Sequence, residues 1–406
     1  MKILVLNSGS SSQKTCLYEI GDALPADPPK SLWQAQIEWK GEFAEAQIKN
    51  GHGYSKTDEI QVDSRRHAIE HLLNTLWTGE ASAIKSPKEI DVVGHRIVHG
   101  GPHFEVPIAV NSEVKSAIAS VSAFAPLHNR AELEGIETIE NLLGNVPQVA
   151  VFDTGFHKQM PLSAAIYPGP YDWYESGIRR YGFHGINHKY CARRAAHLLN
   201  NDASSLKLVS CHLGNGCSLA AIRRGKSIDT TMGFTPLEGL MMGTRSGSVD
   251  PGILTYLMRQ KKLTGDQLDD MLNRHSGLLG ISGLSADMRE IQSAIGEGNQ
   301  RAKLAFDMYV HRLQSGIGAM VAVLGGVDAL IFTAGVGENS ADLRAAVCEN
   351  FRYLGLTLDA TKNAKSPRDA DISAPRSSVR VLLIHAEEDW EIARDCWKLA
   401  ITKRGN

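Results

Sequence analysis

The sequence predicts a mixed α/β protein built from two similar halves, and three observations support this. Short runs of apolar and β-branched residues, bounded by Gly, Asn or Ser, alternate with longer segments of helical periodicity. A strand–turn–strand pattern at residues 3–20 returns at residues 206–222, each time with Gly and Asn in the turn and a hydroxyl after it. The length of 406 residues allows two or three domains. We therefore expect a duplicated fold that holds a phosphate between its halves.

Composition excludes several classes of protein. A net charge of −2 gives no basic field for nucleic acid, and no apolar run approaches the roughly 18 residues of a membrane helix. The N-terminus shows no signal-peptide pattern. The six cysteines are scattered without a C-x-x-C pair, which is typical of reduced thiols in a cytoplasmic protein. A zinc site from Cys211, His212 and Cys217 is the less favoured alternative, because paired spacing is absent.

The first strand leads into a candidate phosphate turn. Residues 3–6 are apolar, and we expect Asn7 and Gly9 to end the strand there, since Gly tolerates backbone angles that other residues avoid. Hydroxyl groups and Lys14 follow, which suits a phosphate. The spacing is not that of Walker A, and a Ser-rich hairpin turn is the alternative.

Two further strands deliver charged residues. Arg96 lies near the end of the strand at 91–98, before a Gly-Gly turn, where it can meet an anion or remain a surface arginine. Asp153 directly follows the strand at 148–152, and a carboxylate after a strand is a common catalytic placement in α/β proteins. His184 stands between an aromatic residue and a glycine. With His188 it has an i,i+4 spacing that can bind metal, but the Glu of a zincin is absent.

The remaining elements follow from hydrophobic period. Strands are predicted at 206–213, 219–222, 328–333 and 379–384, and helices at 66–77, 112–122, 130–143, 187–199, 253–260, 266–272, 286–295, 300–324, 340–350 and from 387 onward. Residues 231–252 form a Gly-rich loop. The strand at 328–333 opens into a G-x-G turn and a helix, which indicates nucleotide contact. The acids at 387–389 suit a helix N-terminus.

Eight motifs occur in the order and spacing of the acetate kinases, which the chain resembles nearly end to end. They are LVLNSGSSSQK at 4–14, GHRIVHGG at 94–101, VFDTGFH at 151–157, RRYGFHG at 179–185, HLGNG at 212–216, GTRSG at 243–247, FTAGVGEN at 332–339 and EEDWEIARD at 387–395. The resemblance implies the actin-like ATPase fold of the actin, hexokinase and Hsp70 superfamily, with two duplicated RNase H-like domains around a cleft. We expect an N-terminal domain at 1–153 plus 389–402 and a nucleotide-binding domain at 154–388.

The resemblance also implies reversible, Mg-ATP-dependent phosphorylation of acetate to acetyl phosphate by direct in-line transfer. It implies Mg²⁺, with Mn²⁺ as a substitute, ATP and ADP as substrates, and a homodimer. The implied catalytic residues are Asp153, His184 and Arg245, and the implied metal ligands are Asn7 and Glu387. The implied acetate site comprises Arg96, Val98, Leu127, Phe183 and Pro236. The implied nucleotide site comprises Ser10, Ser12, Lys14, His212, Leu213, Gly214, Asn215, Gly216, Asp287, Met288, Arg289, Gly335, Val336, Gly337, Glu338 and Asn339.

Three points refine this expectation. The Val98 side chain fits a one-methyl pocket, so acetate is favoured over propionate, although one methylene is worth only ~1–3 kcal/mol. We expect Asp153 to orient Arg245 or a metal-bound water, since acetate is already ionised. Ser248 and Ala386 stand where the family usually has polar or acidic residues, which predicts a raised magnesium requirement.

Three alternatives remain open. The first is a kinase for propionate or other short-chain carboxylates. The second is a phosphatase of the same superfamily acting on polyphosphate. The third is a non-enzymatic, nucleotide-gated structural or chaperone protein of the same fold.

Overall fold

The chain divides into two compact units in the computed structural model, which describes residues 1–9, 12–40, 43–61, 64–102, 104–121 and 129–404. Unit 1 comprises Met1–Phe156 and Glu387–Asn406, and unit 2 comprises His157–Ala386. The limits expected from the sequence, 153 and 389, differ from these bounds by a few residues.

Unit 1 contains an eight-stranded sheet with the order β5-β4-β3-β2-β1-β6-β8-β7. Its strands are β1 (Lys2–Ser8), β2 (Ser12–Glu19), β3 (Trp33–Lys40), β4 (Phe43–Asn50), β5 (Ser55–Gln61), β6 (Val92–Ile97), β7 (Ile108–Ala109) and β8 (Gln148–Phe152). Strand β1 is antiparallel to β2 and parallel to β6, and β6 is parallel to β8. The innermost strand β1 is therefore buried through Leu6, and its end lies beside the ends of β6 and β8.

Among the described residues of unit 1 there are four α-helices. They are α1 (Arg65–Asn74), α2 (Ser112–Ser120), α3 (Asn129–Leu143) and, from the C-terminus, α15 (Glu388–Arg404). The last helix packs directly on β1 and β6. Gly94 permits this, because a Cβ there would lie 2.6 Å from Cys396 Sγ and 2.8 Å from Ile392 Cγ2. The close packing brings the first turn of α15 to the ends of β1 and β6.

Unit 2 contains a six-stranded sheet with the order β11-β10-β9-β12-β14-β13. Its strands are β9 (Lys207–Leu213), β10 (Cys217–Arg223), β11 (Lys226–Thr230), β12 (Ala329–Thr333), β13 (Ala370–Asp371) and β14 (Arg380–Leu383). Its helices are α4 (Leu162–Ala165), α5 (Tyr171–Glu175), α6 (Gly185–Leu198), α7 (Pro251–Lys261), α8 (Gly265–Arg274), α9 (Gly277–Ser282), α10 (Met288–Gly296), α11 (Gln300–Leu324), α12 (Ala334–Asn339), α13 (Ala341–Glu349) and α14 (Ala360–Lys365). Over both units, short 3₁₀ turns lie at Pro87–Glu89, Gly155–His157, Ala203–Ser205 and Arg352–Leu354.

The two sheets share one topology. In unit 2, β9 is antiparallel to β10 and parallel to β12, β12 is parallel to β14, and β13 pairs antiparallel at the edge. Strands β1, β2, β6, β8 and β7 repeat this pattern in unit 1. The internal repeat seen in the sequence is therefore a repeat of structure.

Two local predictions were wrong. Strand β1 does not end at Asn7 but runs through Ser8, because Asn7 pairs with Lys14 and Ser8 with Gln13 across the hairpin. The predicted G-x-G turn is helical, since α12 begins at Ala334 directly after β12. Ala334 makes the sharp change of direction in a left-handed conformation (φ 65°), which is uncommon for a residue other than glycine.

Candidate active site

Arg96 and Asp153 form a buried ion pair at the ends of β6 and β8. Arg96 Nη2 lies 2.6 Å and its Nε 3.2 Å from Asp153 Oδ2. The Arg96 side chain is 15% exposed and that of Asp153 only 1%. The other carboxylate oxygen, Asp153 Oδ1, is buried and has no hydrogen-bond partner among the described residues. A buried acceptor that the fold leaves unsatisfied can receive a donor from a ligand or water.

Asn7 connects this ion pair to the start of α15. Its Oδ1 accepts a hydrogen bond from Arg96 Nη1 (3.2 Å), and its Nδ2 donates to Glu388 Oε2 (3.2 Å) and Asp389 Oδ1 (2.9 Å). Glu388 and Asp389 are acids that the sequence assigned only to helix capping. The structure thus places the carboxylates of Glu388 and Asp389 on Asn7. The sequence had predicted only that Asn7 and Glu387 share a metal ion.

The charges in this cluster influence one another strongly. Burial alone would lower the pKa of Arg96, whereas the nearby carboxylates of Asp153 and Glu388 raise it. The net shift is upward, so the guanidinium stays charged. Burial raises the pKa of Glu388, and Asp153 adds to this while Arg96 opposes it. Arg96 therefore faces more than one carboxylate, and this favours a further cation nearby.

Lys14 is held by unit 1 rather than projecting alone from the turn. Its Nζ lies 2.5 Å from Asp389 Oδ2. Burial lowers the pKa of Lys14, but Asp389 raises it by more, so the net shift is upward. Ser12 begins β2 and its carbonyl accepts from the Gly9 N–H at 2.7 Å. Ser10 lies outside the described residues.

In unit 2, His184 and Arg245 approach the same glycine. A Cβ added to Gly216 would lie 3.4 Å from Arg245 Nη1 and 3.5 Å from His184 Nε2. Arg245 Nη1 also donates to the Pro236 carbonyl (3.2 Å), and burial lowers the pKa of Arg245. His184 is the N-cap of α6 with φ 55°, a left-handed conformation that concentrates at functional sites. Two nitrogen donors therefore converge on the turn after β9.

His212 lies beside His184 with its ring nearly parallel. The ring centroids are 3.9 Å apart with an interplanar angle of 13°. His212 Nδ1 lies 2.8 Å from Asn187 Nδ2. Because an amide nitrogen only donates, Nδ1 is the acceptor and the proton of neutral His212 is on Nε2. The Nε2–H of His212 then lies near Gly214, since a Cβ added to Gly214 would be 3.7 Å from His212 Nε2.

Three of the predicted nucleotide segments line one cavity of about 750 Å³, which lies in unit 2. This volume suits a small-molecule ligand. Its walls are Gly214, Asn215, Ala286, Asp287, Met288, Arg289, Gln292, Gly335, Val336, Asn339 and Ser340. Asp287 caps α10 by accepting from the Arg289 N–H (2.8 Å), and its carboxylate pairs with the Arg289 side chain. Five predicted residues of these segments are not among the lining residues, namely His212, Leu213, Gly216, Gly337 and Glu338.

Buried Arg344 holds the far end of α12. Its Nη1 donates to the carbonyls of Gly337 (2.8 Å) and Glu338 (2.9 Å), while Nε and Nη2 donate to Asn363 and Nη2 also to Ser366. Glu338 turns away from the cavity, accepts from the Ala386 N–H at 2.9 Å and pairs with His385. The cavity wall is thus fixed by polar contacts behind it.

The predicted acetate residues are divided between the units. In unit 1, Val98 is buried and its N–H donates to both carboxylate oxygens of buried Glu132 (3.2 and 3.1 Å). In unit 2, Phe183 is buried, and its carbonyl lies 3.0 Å from His157 Nε2. Pro236 accepts from Arg245, as described above. Leu127 lies outside the described residues.

In the part of the chain that the structure describes, no three His, Cys, Asp or Glu side chains are grouped as they would be around a metal ion. The zinc alternative is not formed, and Cys217 Sγ instead lies 3.0 Å from Tyr309 Oη. His184 and His188 do not form a metal site either, because both ring nitrogens of His188 are hydrogen-bonded to serine hydroxyls. Within the described residues, no helix is both long and apolar enough to cross a bilayer.

Residues 2–394 match the model of the acetokinase family. The chain belongs to the acetokinase family. It is 60% identical over 404 residues to the acetate kinase of Cyanothece sp. (strain PCC 7425 / ATCC 29141), with 99% of both chains covered. It is 57% identical over 402 residues to the acetate kinase of Nostoc sp. (strain PCC 7120 / SAG 25.82 / UTEX 2576), covering 98% of this chain and 99% of that one.

Solved structures of acetokinases agree with this assignment. Porphyromonas gingivalis acetate kinase aligns with a TM-score of 0.90 at 41% identity, covering 98% of this chain and 99% of that one. A propionate kinase from Francisella tularensis aligns with a TM-score of 0.88 at 36% identity and the same coverage. The predicted fold class, a duplicated α/β fold of the actin-like ATPase type, is confirmed.

Some residues of the candidate site were not found by sequence reasoning. Glu388 and Asp389 were given only a capping role, although they follow Glu387 directly. Glu132 was predicted only to lie in the helix at 130–143, since one acid among several in α3 carries no distinct signal. Ser218 follows the HLGNG motif, which was the available signal, but only the fold shows that it meets two histidines.

Proposed function

We propose that the protein catalyses the reversible transfer of the γ-phosphoryl group of ATP to acetate, giving acetyl phosphate and ADP. The observation that carries this proposal is the end-to-end match to acetate kinases, in which each of the eight motifs carries at least one candidate site residue. A kinase acting on propionate or another short-chain carboxylate is the second candidate, favoured by the likeness to the Francisella protein.

Acetate is an anion and must approach a polyanionic phosphate. The problem is therefore one of charge and position, and cations aimed at the reacting oxygens solve it. We assign carboxylate binding to Arg96, whose fork suits two oxygens. We assign the equatorial oxygens of the transferring phosphoryl group to His184 and Arg245, which converge near Gly216. The adenine nucleotide occupies the 750 Å³ cavity of unit 2.

Asp153 acts in this proposal by orienting Arg96. The support is the 2.6 Å ion pair, which differs from the expected pairing with Arg245. Ionised acetate needs no base, so a carboxylate that fixes the acetate-binding arginine has a sufficient role. Its unpartnered Oδ1 can hold a water or a hydroxyl group of the reacting complex.

The residues at the start of α15 fit a magnesium ion. Mg²⁺ prefers oxygen ligands, keeps several waters and takes the rest from substrate phosphates, so it needs few protein ligands. Asn7, Glu387 and the adjoining carboxylates supply such oxygens, and the excess of acids around Arg96 favours a cation. When bound, the ion neutralises phosphate charge. Ala386 supplies no side-chain ligand, so the expectation of a raised magnesium requirement stands.

Unit 1 serves as the acceptor-binding domain in this proposal and unit 2 as the nucleotide-binding domain. We also propose a homodimer in the cytoplasm. Helix α7 supports the dimer, because it has no buried residue and exposes Ile253, Tyr256 and Met258. Such a surface is typical of an interface.

Trapping of acyl phosphate with hydroxylamine tests the proposal. The protein is incubated with Mg-ATP and acetate, propionate or butyrate in turn, and the hydroxamate is measured. We expect acetyl hydroxamate in large excess, with propionate a poor substrate. Release of inorganic phosphate without any hydroxamate would favour the phosphatase alternative. ATP hydrolysis or binding alone would favour the non-enzymatic one.

A further inference from the structure

A buried hydrogen-bond chain runs from His184 into the interior of unit 2. His184 Nδ1 lies 2.9 Å from Ser218 Oγ, and the same oxygen lies 2.8 Å from His188 Nε2. His188 Nδ1 lies 2.9 Å from Ser210 Oγ. One hydroxyl therefore joins two imidazoles, and a second hydroxyl adjoins the inner one.

Local structure dictates this arrangement. His184 and His188 are one helical turn apart at the start of α6, so their rings lie on one face. Ser210 on β9 and Ser218 on β10 belong to adjacent paired strands. His188, Ser210 and Ser218 are all 0% exposed.

His188 stays neutral in this position. Burial holds its pKa well below the usual value, and the neighbouring His157 and His212 lower it further. A neutral imidazole carries one ring proton, on either Nδ1 or Nε2. His188 can therefore change its tautomer but not its charge.

The single hydroxyl proton of Ser218 links the two rings. Ser218 can donate to only one of the two ring nitrogens and must accept from the other. If His184 Nδ1 carries a proton, Ser218 donates to His188 Nε2, and the proton of His188 lies on Nδ1. If His184 Nδ1 is bare, Ser218 donates to it, and the proton of His188 lies on Nε2.

We propose that Ser218 and His188 are positioning residues that couple the protonation of His184 to the tautomer of His188. Protonation of His184 takes up one proton from water. The Ser218 hydroxyl proton forms the N–H bond at His184 Nδ1, and the His188 Nε2 proton replaces it on Ser218. The Ser210 hydroxyl proton forms the N–H bond at His188 Nδ1, and the proton taken up replaces it on Ser210. The added charge rests on His184, which keeps its Nε2–H. This deepens the proposed function, on which the role of His184 depends.

Other nitrogen-containing side chains lie close to His184 and His188. His212 stacks on its ring, and Arg245 approaches the same glycine. His157 packs edge-on against His188, with centroids 5.7 Å apart. Arg245 is cationic, and it disfavours a positive charge on His184. The acceptor that Ser218 presents to Nδ1 opposes that effect.

Nitrogen-15 NMR of the histidine-labelled full chain tests the coupling without substrate. Signals are assigned with His184→Gln and His188→Gln. As His184 titrates, we expect the shifts of Nδ1 and Nε2 of His188 to exchange while His188 stays neutral. If the His188 signals do not move across the His184 titration, the proposal is wrong. This wild-type measurement decides the question even if a variant fails to fold.

Variants separate the coupling from general packing. Ser218→Ala should abolish the response of His188, and Ser218→Thr, which keeps the hydroxyl, should retain it. Ser227→Ala is the matched control. Ser227 is a buried serine whose Oγ lies 2.8 Å from His157 Nδ1, and it does not belong to the hydrogen-bond chain that starts at His184. A persistent response in Ser218→Ala, or its loss in Ser227→Ala, would contradict the proposal.

Kinetics supply the functional readout. Ser218→Ala should lower kcat about 10–100-fold, as loss of partners that orient metal-binding histidines does, with the acetate KM within about twofold. An unchanged kcat would remove the positioning role. Absence of acetyl hydroxamate in the wild type, with the NMR coupling intact, would instead contradict the proposed function alone.

Discussion

The two units share one sheet topology but carry different chemistry where their strands end. In unit 1, the β1–β2 hairpin lies beside Arg96, Asp153, Asp389 and Lys14, which form short ion pairs. In unit 2, the β9–β10 hairpin lies beside His184, stacked imidazoles and a glycine-lined cavity. The charged half suits a small carboxylate and a metal ion, whereas the second half suits a nucleotide.

The comparison shows that topology places a site without choosing its chemistry. The choice is made by single residues after equivalent strands. Asp153 follows β8 in unit 1, whereas β14 in unit 2 leads through Ile384 to His385, which pairs with Glu338. If the comparison is right, changes in each unit should affect one substrate and leave the other nearly untouched.

The largest effect is expected for Arg96→Ala. Removing an oriented cationic donor costs on the order of 10²–10³ in rate, so kcat/KM for acetate should fall about 10³-fold. Arg96→Lys keeps the charge without the fork and should lose less. Titration with a fluorescent ATP analogue should show nucleotide affinity within about twofold of wild type, as for independent sites. An equal loss of kcat/KM for acetate and of nucleotide affinity would contradict this division of roles between the units.

Asp153→Asn should come next. The amide keeps the shape but weakens the hold on Arg96, so kcat should fall about 10²-fold, similar to the loss of an oriented donor. The acidic limb of the pH–rate profile should remain, because Asp153 orients rather than accepts a proton. Loss of that limb would show that Asp153 is a base.

Gly243→Ala probes the nucleotide half. A Cβ at Gly243 would overlap Asn215 Oδ1 and lie 3.1 Å from the Ala286 carbonyl, both in the cavity wall. Overpacking typically costs ~1–3 kcal/mol, so the KM for ATP should rise about tenfold. Gly296→Ala is the control, since nothing lies within 4 Å of an added Cβ there. A raised acetate KM with unchanged ATP KM would reverse the assignment of the units.

Val98→Ala should change selectivity more than rate. Removing two methyl groups next to the acetate methyl should raise the ratio of kcat/KM for propionate over acetate about tenfold, within the ~1–3 kcal/mol of a methylene. Competition assays with both acids measure this ratio directly. No change in it would exclude Val98 from the acceptor pocket.

The smallest effect on catalysis is expected for substitution of Glu132, which should change the pH dependence of stability instead. Burial raises the pKa of Glu132 to about 8, although the Val98 N–H and Arg96 oppose this. The native state then binds more protons than the unfolded state between about pH 4.3 and 8, so stability falls as pH rises through this window. Glu132→Gln should flatten the fall by on the order of 1 kcal/mol per pH unit, measured by urea unfolding at pH 5, 6, 7 and 8. An equally steep fall would contradict this.

Much of the fold was predictable because its signals are local. Helix α11 was predicted with its observed limits, because its apolar period runs for 25 residues between Asn299 and Gly325 caps. The strand–turn–strand repeat predicted the duplication. The end of β1 was misplaced because Asn7 has turn chemistry, and cross-strand pairing overrode that preference.

The candidate site was predictable only where a motif carried it. The sequence could indicate that Arg96 and Asp153 are charged residues after strands, but their pairing depends on the parallel register of β6 and β8. The partners of Asn7 on α15 lie more than 380 residues away in sequence. Neither contact has a local pattern, so only the assembled sheet and its returning helix bring these atoms together.

Arg344 links one wall of the 750 Å³ cavity to a second helix. Its guanidinium joins the last carbonyls of α12 to Asn363 and Ser366, at the end of α14. Neither segment can open without breaking hydrogen bonds that the other shares. We therefore regard α12 and α14 as one cooperative opening unit, in which hydrogen exchange at the cavity wall reports on residues that never touch the ligand.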